Sequence, residues 1–156
     1  MITAHLPSGY LLSRAARWRG PVMLAALVGA VWPDIDLFFF YFVDDRALHH
    51  HRYWVHAPAF VLVVSLALLV LTRWRWSSQF PLAVAFCGAW GLHILLDSLA
   101  GDIMWLWPFS TQLFALFTVP AIHENWIVSF LLHWTFLAEL AIWATTLTLL
   151  IQSRRA

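Results

Sequence analysis

Lysine is absent from this chain, and all nine basic residues are arginine. Charge of either sign is scarce, at 11% of residues, where an ordinary soluble domain carries about 25%. Nine basic residues nearly balance eight acidic ones, and no basic stripe is available to follow a phosphate backbone, so nucleic acid is not an expected partner. One cysteine, Cys87, lies inside an apolar run. That excludes a disulfide framework and a cysteine-rich zinc ribbon, and leaves packing as its ordinary role. HExxH is missing, which disfavours an intramembrane zinc protease. The repeated HxxxH pairs of a histidine-rich di-iron oxygenase are missing too. No repeat, low-complexity segment or linker interrupts the sequence, so 1–156 is expected to form a single domain.

What is abundant is apolar. Hydrophobic residues make up 62% of the chain, mean hydropathy is +0.76, and eleven tryptophans and twelve phenylalanines suit bilayer interfaces. Four segments, 21–43, 56–72, 80–100 and 126–151, are long enough to cross or nearly cross a bilayer. A shorter apolar stretch, 2–12, precedes them and reads as a half-helix that enters without crossing. The expected fold is therefore all-α: a polytopic membrane bundle of about four transmembrane helices plus a short N-terminal half-helix. Arg14, Arg17 and Arg19 follow the first apolar stretch instead of preceding it, so it is not read as a signal peptide and the N-terminus is expected to be kept.

Arginine placement orients the bundle. With four alternating spans, Arg14, Arg17, Arg19, Arg73, Arg75, Arg154 and Arg155 fall on one side, and only Arg46 and Arg52 on the other. The positive-inside rule makes the first side cytoplasmic, with the 44–55 and 101–125 loops facing outward. In a Gram-negative cell that is the periplasm.

Ionisable side chains within apolar spans are expensive and mark functional candidates. Here they are His5, Asp34, Asp36, His56, His93, Asp97, His133 and Glu139. Asp34, His56, His93, Asp97 and His133 stand 15 to 22 residues from the arginine cluster at the end of their segment. At helical rise this is roughly 22–33 Å, a single layer towards the outer face. His5 reaches about 14–18 Å on the same rise and would join the layer if its segment is tilted or partly extended.

The motifs themselves leave roles open. In HILLD, His93 and Asp97 share a helix face. They can ligate one ion, one can orient the other, or they can form a structural pair. In PDID, Asp34 and Asp36 follow Pro33. A regular helix would point them about 200° apart, whereas a helix unwound at the proline turns both inward to flank a cavity. A helix break bearing solvated acids is the plainer alternative, and the apolar run after Asp36 weighs against it. In HHHRYWVH, His51 and His56 span a loop-to-helix junction, where neutral imidazoles suit zinc. Arg52 beside them can hold a phosphate oxygen in bidentate fashion. The competing reading is a solvated histidine loop, and His49 and His50 fit that role better. At least one of His133 and Glu139, six apart, reads as a helix–helix hydrogen-bonding group; His123 and Glu124 read as solvated.

Taken in order, Thr3-x-His5, PDID at Pro33 to Asp36, His51-Arg52 with a second histidine at His56, and His93-x-x-x-Asp97 resemble the YdjM-like, or YbcI-like, family. These are small bacterial inner-membrane proteins grouped as metal-dependent hydrolases. The resemblance covers roughly residues 1–110, and its pattern is similar to zinc-dependent phospholipase C sites. It implies metal ligation by His5, Asp34, Asp36, His51, His56, His93 and Asp97. The sequence departs from the family at Tyr53, where a glycine is common, and at Val55–His56–Ala57, where hydroxyl residues flank the histidine.

Seven nitrogen and oxygen ligands exceed one tetrahedral zinc and suit two ions about 3.5–4 Å apart. The expected function is a metal-dependent hydrolase of the inner membrane, cleaving a phosphoester or related ester of a membrane lipid or lipid-linked substrate by metal-activated water. Asp36 or Asp34 would bridge or act as general base, and Arg52 would bind the substrate and stabilise phosphoryl charge. Zinc is the first choice of divalent metal, with manganese or iron as alternatives. The WLWPF stretch, with Trp107 at its centre, is expected either to form a substrate-binding lip or to be part of an ordinary aromatic belt. Two rivals use the same residues: a metal-ion or proton transporter, and a non-catalytic assembly protein with a structural polar layer.

Overall fold

The computed structural model describes residues 3–155; Met1, Ile2 (the start of the expected half-helix) and Ala156 lie outside the described residues. Helices and loops make up the described chain, with a lone antiparallel bridge between Ile103 and Phe114. The helices are α1 (His5–Ala15), α2 (Gly20–Val31), α3 (Asp36–Phe42), α4 (Pro58–Arg75), α5 (Phe80–Asp97), α6 (Trp126–Leu131) and α7 (Phe136–Arg155). Three segments are long and apolar enough to cross a membrane: Pro58–Arg75, Ser77–Asp97 and Phe136–Ser153. The pair Gly20–Val31 and Pro33–Phe42 makes a fourth if it is one broken span, bent by 51°.

Local chemistry explains most boundaries. Prolines stand in the first turns of α2, α4 and α5, where the missing N–H has no helical partner to lose. Arg73 and Arg75 close α4, where positive charge meets the negative end of the helix dipole. The break in the first span falls at Pro33, in a short 3-10 turn over Pro33–Ile35. The fourth expected span differs. Asn125 caps α6 by accepting from Ile127 N–H at 2.9 Å, and the helix stops at Leu131. His133 Nδ1 then pairs with Thr135 Oγ1 at 2.9 Å, a local side-chain bond that competes with helical continuation. The crossing helix begins only at Phe136.

Small residues set how closely the helices approach. Ala26 and Ala30 of α2 are buried with Ala85 and Ala89 of α5. A Cβ on Gly9 would stand 2.7 Å from the Ala30 methyl, and one on Gly29 would collide with the Phe86 backbone. Packing through small residues is how helices associate in lipid, where apolar burial alone gives no drive. Outward, Leu62, Val63, Leu66 and Val70 of α4 are exposed, as befits a face that meets hydrocarbon.

The chain direction brings one end of every helix to the same level. α1 and α7 run alongside each other, Thr3 bonding Glu139 and Thr146 Oγ1 reaching Pro7 O at 3.4 Å. The start of α1, the Pro33 break, the 43–57 loop and the end of α5 therefore share the end opposite the arginine clusters.

Candidate metal centre

Asp97 is the hub. It is the last residue of α5 and fully buried, at a helix end whose dipole disfavours negative charge. Imidazole nitrogens surround it. His5 Nε2 lies 3.1 Å from Asp97 Oδ1; His93 Nε2, His51 Nε2 and His56 Nε2 lie 2.9, 3.5 and 3.7 Å from Oδ2. Three segments, the start of α1, the loop before α4 and α5 itself, thus aim the same ring atom at one carboxylate. His5 and His93 stack, with centroids 3.7 Å apart and planes at 19°.

The other ring nitrogens show why Nε2 faces inward. His93 Nδ1–H donates to the Ala30 carbonyl of α2 at 2.7 Å, and His51 Nδ1–H donates to the Gly101 carbonyl. Each bond fixes a tautomer with its Nε2 lone pair directed at the cluster, the arrangement that metal-ligating histidines adopt. Burial holds His51 well below the usual histidine range, so its ring is neutral and keeps that lone pair. His56 Nε2 and His93 Nε2 face each other at 3.2 Å. With the His93 lone pair pointing into that gap, the contact needs a proton or a cation between the rings.

PDID divides. Asp34, with its side chain 32% exposed, has Oδ1 3.9 Å from His93 Nε2. Asp36 is buried on the far side of His56, with Oδ2 2.8 Å from His56 Nδ1 and Oδ1 3.9 Å from His50 Nδ1. Although 2.8 Å is bonding distance, the alignment is poor: neither Asp36 oxygen nor His56 Nδ1 makes a hydrogen bond. A misaligned contact leaves both groups largely unsatisfied. A buried carboxylate in that state is costly unless a cation compensates it.

These features fit a divalent ion. Three sets of side chains hold ligand atoms within 4.8 Å of one another: His5, His93 and Asp97; Asp34, His56 and His93; and His50, His51 and His56. They overlap at His56 and His93, so they form one continuous cluster. All donors are nitrogen or oxygen, which suits zinc, manganese or iron(II) over copper(I). Cys87 faces a different part of the molecule, a groove beside α4 and α5.

Six of the seven expected ligands, His5, Asp34, His51, His56, His93 and Asp97, fall in these sets, whereas Asp36 is in none of them and lies against His56 and His50. His50, expected to be a bystander, lies at the margin of the cluster, while His49 is exposed and accepts from His51 N–H at 3.2 Å. Arg52 is exposed at the same end, and Trp107 is half-buried in the 101–125 loop. His123 and Glu124 are exposed, and His133 is engaged by Thr135. Glu139 meets the expectation of a helix–helix hydrogen-bonding group, though its partner was not foreseen, and the part played by Gly101 escaped the sequence altogether. Glu139, fully buried in α7, accepts from Thr3 N–H at 2.9 Å and Thr3 Oγ1–H at 2.7 Å, and Trp143 Nε1–H donates to Thr3 Oγ1 at 3.1 Å. This holds the start of α1 two residues before His5. Its only sequence signal was a carboxylate within a span. Gly101, which receives His51, gave none.

An all-helical chain with three or four candidate spans and a buried His/Asp cluster at one end is a polytopic membrane protein with residues able to bind metal. The chain belongs to the YdjM inner membrane protein family, whose model matches residues 1–155. That match takes in α7 and Glu139, beyond the stretch where the motifs lie. No curated protein and no solved structure matches the chain.

Proposed function

We propose that this inner membrane protein is a metal-dependent hydrolase cleaving a phosphoester, or a related ester, of a membrane lipid. The observation that carries the reading is the convergence of four Nε2 atoms on the buried Asp97 carboxylate. His5, His51, His56, His93 and Asp97 would hold the metal, with Asp34 and Asp36 at its two flanks. Zinc fits first, manganese and iron next, and the two sets that share no residue, His5, His93 and Asp97 and His50, His51 and His56, leave room for two ions. A divalent ion there would supply a nucleophilic water at neutral pH and positive charge against phosphoryl oxygens.

The chain's own groups divide the remaining work. Asp34, the acid with solvent access, is placed to take a proton from water. Asp36 sets a negative charge against the far side of His56, and Arg52 offers a guanidinium fork to a phosphate oxygen. Trp107 would border the substrate at the interface. The arginine asymmetry supports a site towards the outer leaflet, within reach of a headgroup whose tails stay in lipid.

The test is metal content. Protein purified without chelator should carry stoichiometric divalent transition metal, and His93→Ala and Asp97→Asn should lose most of it. Wild type without such metal sinks the hydrolase reading. With metal present, a panel of phospholipids and polyprenyl phosphates should reveal turnover. Arg52→Ala should lower that turnover while keeping the metal.

A further inference from the structure

Beside the metal cluster, α4 and α5 enclose an apolar groove of about 730 Å³, within the roughly 300–1,000 Å³ range of small-molecule sites. Pro58, Ile94 and Trp105 line it at one end; Leu69 and Val84 line it at the other. Pro58 follows His56 by two residues, and Ile94 adjoins His93. The groove therefore starts at the level of the cluster and descends about 16 Å along both helices, away from the loops and towards the arginine end.

Two features make this more than an ordinary lipid-facing surface. Gly88 and Gly91 line the groove, and a Cβ on Gly91 would meet nothing within 4 Å, while one on Gly88 would only approach the Trp18 ring at 4.0 Å. A side chain longer than a methyl at either position would project into this open space. In addition, the Ser65 hydroxyl, buried in the same wall, has no hydrogen-bond partner. Serines in helices ordinarily bond the carbonyl one turn back, so this donor is left for the ester carbonyl of a lipid whose chain continues down the groove.

We propose that this groove binds one hydrocarbon chain of an ester-linked lipid whose headgroup lies at the His/Asp cluster. The substrate assignment rests on the hydrolase reading; the lipid site does not. The groove's direction favours an amphiphile, since its upper end lies at the level of the His/Asp cluster while its lining is apolar apart from Ser65 and Cys87. A second copy of the protein is the competing occupant.

Cys87, the chain's one cysteine, lines the groove and reports its occupancy. The experiment measures alkylation of Cys87 by N-ethylmaleimide in detergent-solubilised protein, with long-chain phosphatidylglycerol or with glycerol phosphate. A control carries Val63→Cys in a Cys87→Ser background, on the exposed outer face of α4. Phosphatidylglycerol should slow Cys87 about tenfold and leave the control unchanged; glycerol phosphate should do neither. Gly91→Leu should abolish the lipid effect, tenfold being the equivalent of about two buried methylenes. No slowing, equal slowing at both positions, or a dimer that Gly91→Leu dissociates would overturn the proposal. For the substrate link, Gly91→Leu should raise KM about tenfold for a long-chain phospholipid. Wild type should turn over bis(4-nitrophenyl) phosphate, which has no chain to seat in the groove, with a higher KM than the long-chain phospholipid. If Cys87 is protected but neither compound is hydrolysed, the lipid site stands and the hydrolase reading falls.

Discussion

Gly101 shows how much a single residue can decide. Its carbonyl accepts from His51 Nδ1–H, and it lies against both that ring and the Asp97 carbonyl. A Cβ there would come 2.6 Å from His51 Cε1 and 2.7 Å from Asp97 O. Neither can yield freely, because the ring is held among histidines and the carbonyl belongs to the end of α5. Gly101→Ala should therefore displace His51 without disturbing the helices. Loss of an outer partner to a metal-ligating histidine typically lowers affinity about 10–100-fold, and a fall of that order is expected in a metal titration. Unchanged affinity would mean that His51 contributes nothing to binding. At this scale the sequence exposed the donors themselves, since an imidazole or carboxylate inside an apolar run is conspicuous. It concealed what aims them: the Ala30 and Gly101 carbonyls are backbone atoms that every residue carries.

Among the elements, α1 depends most on a remote partner. It has eleven residues, no side-chain N-cap and too little length to cross a membrane, yet it must deliver His5 to Asp97. Thr3, bonded to Glu139 and Trp143 of α7, fixes its start. Removing the Glu139 acceptor strands two donors in a partly buried place, and each stranded group costs about 1–3 kcal/mol. Glu139→Ala should thus loosen α1 and weaken metal binding, while Glu139→Gln, which keeps an acceptor oxygen, should restore most of both. Hydrogen exchange supplies the second readout, with faster exchange confined to residues 5–15. If Glu139→Ala binds metal as wild type does, the positioning role is wrong. The half-helix was readable from its length and the Pro33 break from proline chemistry. The stop at Leu131 was not, because 126–132 is as apolar as the span after it and only local bonds end the helix. The Thr3–Glu139 pairing joins positions 136 residues apart, which no local pattern encodes.

For the molecule as a whole, polar chemistry occupies one end and arginine the other. Between them, α2, α4 up to Thr72, α5 up to Leu92 and α7 after Glu139 contain no histidine or acid. A conducting pathway would need such groups through the full depth, so this distribution favours a site that works at one face. It also makes orientation decisive, because the substrate must be in the leaflet the cluster faces. Seven arginines against two predict that the loop end faces outward. The two exceptions are informative: Arg46 packs over the Tyr41 ring, while Arg52 stands exposed beside His51. A reporter enzyme active only outside the cytoplasm should therefore be active when inserted after Leu48 and inactive when fused after Arg155. The opposite pattern would place the cluster at the inner leaflet and remove outer-leaflet lipids as substrates. Activity at both positions would mean an even number of crossings after Leu48, so that one of Pro58–Arg75, Ser77–Asp97 and Phe136–Ser153 does not span. The metal cluster is compatible with any of these outcomes, so the reporter fixes which lipids it can meet independently of whether it is an enzyme.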